Sequence, residues 1–388
     1  MYEVSQPFQF SRGSYPNKIM FVAEAWGESE AKIKRPLVGA SGREFARLLF
    51  ESNFIQSTIP EKLDKFNNPR HLTPLEMDEF WSTTSIFQTN VLPLQPLSNN
   101  LIYVCGTKIE VGGKKYLHPP IRTGVSGPKY LLPEYLPELD RLAEEIKQVN
   151  PNIIIALGNV AAWALLSRTG ITSIRGTTAE CILVPGYKVL PTFHPSNILR
   201  QWENRTVMLA DLLKAKKESE FPEIRRPQRE ILVDPTIEDI YNYIQFMHFV
   251  QPPLLSIDIE TKNKTITMIS FSASPDYALV IPFHAPNKKD GNYWESEEDE
   301  VMAWELMGEL LHCDIPKLFQ NGLYDITYLF RAGFRPVNCI HDTMLLHHAM
   351  LPEMQKGLGF LGSLYTQESS WKLMRRVRAK EQTNKADE

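Results

Sequence analysis

Seven residues, Leu255 to Thr261 (LSIDIET), set two carboxylates side by side. Leu255, Ile257 and Ile259 alternate with polar residues, which is the period of a strand with one apolar face. Asp258 and Glu260 then project together from the other face, where like charges repel and desolvation is costly. Divalent cations neutralise such a pair, because hard Mg²⁺ or Mn²⁺ takes oxygen ligands and tolerates bridging carboxylates. Two ions about 3.5–4 Å apart activate a water and stabilise the leaving oxygen in phosphodiester hydrolysis. A further acid must converge from elsewhere. Asp325 is the best candidate, at a helix start in FQNGLYD just after a short strand.

A second constellation lies earlier in the chain. FVAEAWGE (Phe21 to Glu28) is a strand running into an acidic turn that carries Glu24. RPLVGASG (Arg35 to Gly42) leads into a helix whose N-terminus could face an anion. Thr89 and Asn90 end another strand, and HPSNILR (His194 to Arg200) follows a strand at 188–193. Polar groups at several strand ends meet at one edge of an α/β sheet, where ligands usually bind.

These groups need elements to hold them. Before a linker at 214–230, strands are expected at 18–23, 85–92, 151–157 and 188–193. Helices are expected at 42–50, 136–149, 159–166 and 206–217. That alternation implies an α/β layer with a mostly parallel sheet. VGGKK (Val111 to Lys115) reads as a hairpin turn, without the spacing of a phosphate-binding loop. After the linker, a helix at 237–249 precedes strands at 254–260, 265–274 and 277–281. Helices at 297–312, 324–332 and 343–350 and a short strand at 317–320 follow, which suggests a mixed sheet with helical cover. Residues 371–388 are basic, polar and poor in apolar residues, so disorder is expected there.

Bulk properties narrow the class. A chain of 388 residues, 43% hydrophobic and 10% aromatic, has the composition of two or three globular domains. A net charge of −4 advertises no bulk basicity, but DNA enzymes can keep their positive charge local. Four scattered cysteines without a CxxC pair suit a reducing compartment. The N-terminal residues lack the pattern of a signal peptide, and no apolar run is long enough to span a bilayer. A cytoplasmic protein with no membrane partner is expected.

Two resemblances sharpen this reading. AEAWG, PLVGASG, TN and HPSNILR, together with PNIIIALGNVAAWALL and Arg175-Gly176, resemble the uracil-DNA glycosylase superfamily over about residues 15–213. The iron–sulfur branch is the most similar. The resemblance implies an α/β/α sandwich over 1–213 that flips a base into a fitted pocket. It casts Glu24, Asn90 and His194 as catalytic: Asn90 reads the pyrimidine edge, His194 donates to the departing base, and Glu24 orients water or stabilises the sugar cation. Ser196 becomes the phosphate contact, and Leu199 and Arg200 enter the groove. Trp26 replaces a proline, and Leu37 stands where the family stacks a phenylalanine on the base. Residues 1–213 hold only Cys105 and Cys181, so no iron–sulfur cluster is expected.

SIDIET, FQNGLYDITYL and HDTMLLHHAMLPEMQKGLGFLGSLYT, over 231–370, resemble the 3′–5′ exonuclease domain of family A DNA polymerases, especially phage ones. That implies a ribonuclease-H-like (DnaQ-type) fold, with Asp258, Glu260 and Asp325 as ligands of Mg²⁺ or Mn²⁺ and Asn321 contacting substrate. His341-Asp342-Thr343 matches a framing motif that does not bind metal. The family's third motif, YxxxD, is missing: TNKAD, ending at Asp387, has its spacing with Thr383 in place of tyrosine. Two function classes follow. One is a phage replication or repair hydrolase acting on single-stranded DNA, a flipped base or a 3′ end. The other is a non-catalytic DNA-binding or uracil-scanning module serving a DNA polymerase chain supplied separately.

Overall fold

Apolar strands and amphipathic helices alternate through the first half of the chain, and they assemble into a sheet with helices on both faces. The structure is a computed structural model and describes residues 2–55, 72–122, 127–366 and 368. By its contacts the chain divides into two units, Met1–Arg225 with Gly359–Glu388 and Arg226–Leu358.

In the first unit the strands are β1 (Ile19–Ala25), β2 (Phe87–Leu92), β3 (Cys105–Gly106), β4 (Tyr130–Leu131), β5 (Ile153–Leu157), β6 (Ala179–Glu180) and β7 (Lys188–Thr192). The main sheet runs β2-β1-β5-β7-β6, parallel except for β6. The period of two divides β1 cleanly. Phe21 and Ala23 enter one core with Phe45, Leu48, Met77 and Met208, while Met20 and Val22 enter the other with Leu139, Leu142, Ile146 and Val160. The helices Ala40–Glu51, Pro74–Ser82 and Asn204–Glu218 thus cover one face, and Pro137–Val149 and Asn159–Leu166 the other. This is the α/β/α sandwich read from the sequence.

Several local expectations shift. The helix Pro74–Ser82 went unread, although TPLE is its N-terminal signature: Thr73 and Glu76 form a reciprocal capping box, and proline occupies the first turn. VGGKK is not a hairpin turn. Gly112 and Gly113 both take positive φ and lead into a short 3₁₀ turn, Gly113–Lys115, inside the long connection between β3 and β4. The expected linker, 214–230, shortens at both ends. Residues 214–218 complete the helix Asn204–Glu218, in which Lys214, Ala215 and Glu218 are buried, and Glu230 opens a strand. Composition marked this segment as solvated, yet its charges find buried partners: Glu218 accepts from Lys188 Nζ at 2.9 Å.

The second unit is built on β8 (Glu230–Leu232), β9 (Leu255–Lys262), β10 (Thr265–Ser272), β11 (Tyr277–Pro282), β12 (Lys317–Phe319) and β13 (Cys339–Asp342). Their order is β13-β12-β9-β10-β11-β8. β9, β10 and β11 pair antiparallel, whereas β12 lies parallel to β9 and β13 to β12. This is the mixed sheet expected for the exonuclease-like fold. The helices Ile237–Val250 and Glu297–His312 share its apolar core.

The sequence reading kept 231–370 together, but among the described residues those at 359–366 and 368 group with the first unit. Arg175 explains the attachment. It is almost fully buried, pairs through both nitrogen arms with Asp211, and donates from Nη1 to Ser363 Oγ at 2.9 Å. Lys214 Nζ donates to the carbonyls of Ser363 and Thr366 at the end of the helix Leu358–Tyr365. The TNKAD motif and 371–388 lie outside the described residues.

Ser363→Ala leaves one buried guanidinium N–H without its acceptor. A loss of about 1–3 kcal/mol is expected for the first unit, read as a lower midpoint in urea followed by tryptophan fluorescence.

Candidate functional site: a strand-end pocket

Four parallel strand ends meet at one edge of the first sheet. Glu24 is the penultimate residue of β1, Asn90 lies in the second half of β2, Gly158 just past β5, and His194 two residues past β7. A cavity of about 250 Å³ opens here, lined by Glu24, Trp26, Leu37, Asn90, His194, Ser196 and Arg200. Every residue that the sequence assigned to this site is in the wall except Leu199. Leu199 closes the short helix Pro195–Ile198 and is 51% exposed. Glu30, Ser41 and Asn99 also line the cavity and were not foreseen.

Backbone geometry fixes the acid and the imidazole. Gly158 has φ +91°, and a Cβ there would collide with the Glu24 carboxylate and crowd the Cβ of His194. Glu24 Oε1 accepts from Val160 N at 3.2 Å, at the start of the helix Asn159–Leu166, where the helix dipole favours a negative group. His194 caps the helix Pro195–Ile198. Its Nδ1 accepts from Ser196 N at 3.1 Å and lies 2.8 Å from Ser196 Oγ. A nitrogen that accepts cannot carry the proton, so in the neutral ring Nε2 is the donor. Burial pushes the imidazole below its ordinary value, against the pull of the Glu24 and Glu30 carboxylates. The site therefore holds a neutral imidazole with one N–H to offer. Ser196, expected to touch phosphate, has its hydroxyl on this ring.

Asn90 is 5% exposed, and its Oδ1 is buried without a hydrogen-bond partner. Such an orphan is costly unless something else fills the position. Trp26 Nε1 is in the same condition. The indole of Trp26 packs edge-on against Phe10 at 5.0 Å, and Leu37 forms an aliphatic part of the wall. Leu37 is in the left-handed region, φ 55°, with its carbonyl accepting from Trp81 Nε1 at 2.7 Å. Gly42 is required opposite it, since any Cβ there would overlap that carbonyl. Glu30 ties two of the motifs together: its Oε1 accepts from Gly39 N at 2.8 Å. The sequence shows a glutamate in a short helix and gives no sign of that reach.

The second unit puts the other candidates on and beside β9. Asp258 and Glu260 alternate with buried Ile257 and Ile259 and are exposed on the outer face, as their period requires. Asp325 stands in the first turn of the helix Gly322–Arg331, 3% exposed, and its Oδ1 accepts from Ile259 N at 3.0 Å. β12 ends before it reaches Ile259, so this carboxylate takes the place of a missing strand partner. Burial, with Asp258 and Asp342 nearby, pushes Asp325 up to about 6. Among the described residues no group of three or more His, Cys, Asp or Glu side chains is arranged to hold a metal ion. Asp325 thus spends one carboxylate oxygen on the β9 backbone, and of the other two expected ligands Asp258 lies near enough to act on its charge. Asn321 is exposed in the left-handed region before that helix. Asp342 accepts from Gly322 N at 2.8 Å and Met344 N at 2.8 Å, which is a framing role. No helix among the described residues is long and apolar enough to cross a membrane.

The family model of the Uracil DNA glycosylase superfamily matches residues 10–217. A type-4 uracil-DNA glycosylase of Thermotoga maritima is 26% identical over 208 residues, 53% of this chain and 79% of the relative. A DNA polymerase of Bacillus phage SP01 is 28% identical over 258 residues, 56% of this chain but only 27% of the polymerase. The EXO domain of Aedes aegypti Nibbler aligns with 38% of this chain and 74% of its own, at 15% identity and a TM-score of 0.28.

The geometry around His194 makes a pH-dependent statement. A lowered value favours the neutral ring, so His194 is expected to protonate only below pH 6.5, and to carry its proton on Nε2 at pH 7. Histidine-selective ¹⁵N NMR checks both: an acceptor-type shift at Nδ1, and a titration midpoint for His194 below 6.5.

Proposed function

The chain belongs to the uracil DNA glycosylase superfamily, and on that premise we propose that its first unit excises uracil from DNA. The observation that carries this reading is the unpartnered Asn90 Oδ1 in a cavity it shares with Glu24 and His194. An amide oxygen held dry and without a donor suits the N3–H of a flipped uracil ring. Cleavage of the N-glycosidic bond sends the bonding pair to the base as an anion, and positive charge grows on the sugar. His194 Nε2–H donates to the developing anion, and a neutral donor suffices because its role is electrostatic. Glu24 faces the sugar, stabilises its cation and orients the water whose oxygen bonds to C1′. That water's second proton ends on the released base. Trp26 and Leu37 flank the ring, so stacking falls to the indole in place of a phenylalanine. Leu199 and Arg200, at the rim, meet the strand from which the base was drawn.

For the second unit the reading is DNA binding without metal-dependent cleavage. It is supported by the bond from the β9 backbone to Asp325 Oδ1 and by the burial that favours the protonated form of that carboxyl. In this reading the chain is a uracil-sensing, DNA-gripping protein of replication or repair, of phage origin, working beside a polymerase supplied separately.

Two measurements test these statements. On single-stranded DNA with one uracil, the wild type is expected to leave an alkali-sensitive break at that base, and Asn90→Ala or His194→Ala to slow it by about 10²–10³-fold. With Mg²⁺ or Mn²⁺, end-labelled DNA is expected to show no ladder, and Asp258→Ala to behave as the wild type. A metal-dependent ladder abolished by that substitution overturns the second reading.

A further inference from the structure

Asn90 has a demanding task in the proposed reaction, yet its side-chain oxygen has no bond to hold it in place. Its orientation has to come from the backbone. The backbone there lacks ordinary sheet support, because β2 is the edge strand. Its register with β1 runs from Met20/Phe87 to Ala23/Asn90 and resumes only at Ala25/Leu92. At this lapse Arg141, from the helix Pro137–Val149, donates from Nη2 to the carbonyls of Asn90 at 2.6 Å and Val91 at 3.0 Å. Its Nη1 reaches Thr89 Oγ1 at 3.1 Å and Glu145 Oε2 at 2.9 Å, and its Nε reaches Glu138 Oε2 at 2.8 Å. These contacts occupy the full donor set of the guanidinium. All three charged groups are at least 95% buried.

The second oxygen of each carboxylate goes to the start of the chain. Glu138 Oε1 accepts from Tyr2 Oη at 2.7 Å and Ser5 N at 2.8 Å, and Glu145 Oε1 accepts from Phe8 N at 2.9 Å. The N-terminal segment thus saturates the acids that aim the arginine, and the arginine holds the strand that presents Asn90. We propose that Arg141 is a positioning residue for Asn90, and that Tyr2–Phe8 completes the clamp through which it acts. The inference rests on the base-excision reading of the first unit.

Lysine keeps the charge but not the planar fork, so Arg141→Lys cannot span both carbonyls and both acids. In the full chain, below its unfolding temperature and with an unchanged circular dichroism spectrum, kcat for uracil release is expected to fall about tenfold to a hundredfold with little change in KM, as small misplacements do. Arg141→Gln falls further, and Tyr2→Phe shows a smaller loss in the same direction. A folded Arg141→Lys with wild-type kcat, or with a change confined to KM, overturns the proposal. A second readout needs no turnover: the side-chain amide resonance of Asn90, in protein labelled with ¹⁵N-asparagine, is expected to move in Arg141→Lys and in Tyr2→Phe. If the wild type releases no uracil, the base-excision reading falls. The clamp is then judged by that resonance alone, upheld if it moves and overturned if it does not.

Discussion

The first unit depends on how closely the Glu24 and His194 side chains approach the end of β5. β5 lies between β1 and β7, and all three run parallel, so their ends deliver Glu24, residue 158 and His194 to the same few ångströms. Any side chain at 158 would overlap the Glu24 carboxylate, and the backbone there is left-handed. Glycine is therefore a condition for the pocket. Once it is met, the other features follow locally. The helix after Gly158 offers an N–H to Glu24, and the helix after His194 offers one to Nδ1. Each group is oriented by the first turn of a helix, at the pole of its dipole that suits an acceptor.

Across the first unit the protein uses buried charges to finish hydrogen bonding that secondary structure leaves undone. Arg141 supplies donors where the β1–β2 ladder lapses. Lys188 Nζ donates to the carbonyls of Glu218 at 2.7 Å, Phe221 at 2.8 Å and Glu223 at 3.0 Å, where the helix Asn204–Glu218 has ended. Lys214 does the same for the helix that begins at Leu358. A buried ion pair is weak evidence for stability, because desolvation offsets much of its attraction. Orphaned carbonyls make a stronger case. An unpaired buried backbone group is costly, and a cation with several donors satisfies two or three at once.

This division explains what was legible in the sequence. Glu24 and Asn90 lie late in apolar strands and His194 just past one, each with its own local pattern, and parallel strands bring such ends together whatever the loops do. The strand period likewise placed Asp258 and Glu260 on an exposed face. Partnerships across long separations were not legible. Nothing in PELDRLAEEIKQV marks Glu138, Arg141 and Glu145 as buried, since glutamate and arginine on a helix normally face water. Nothing near Ser363 shows that its hydroxyl meets Arg175. The linker was set too long for the same reason: its charges read as solvated until their buried acceptors were seen.

Glu24 and Asp325 show why a motif names a residue type more surely than a role. Both are acids at the margin of a sheet, and both accept one backbone N–H. Glu24 takes its N–H from a helix start and still lines an open cavity with Asn90 and His194, so its remaining lone pairs face a space that a substrate can enter. Asp325 takes its N–H from within a strand, between Asp258 and Glu260, and is itself almost fully buried. Its first obligation is to the sheet. Burial also favours its protonated form, which accepts more weakly and repels its acidic neighbours less. The same carboxyl chemistry thus lines a cavity in one unit and completes a strand end in the other. What separates them is burial: Glu24 lines an open cavity, whereas Asp325 is 3% exposed.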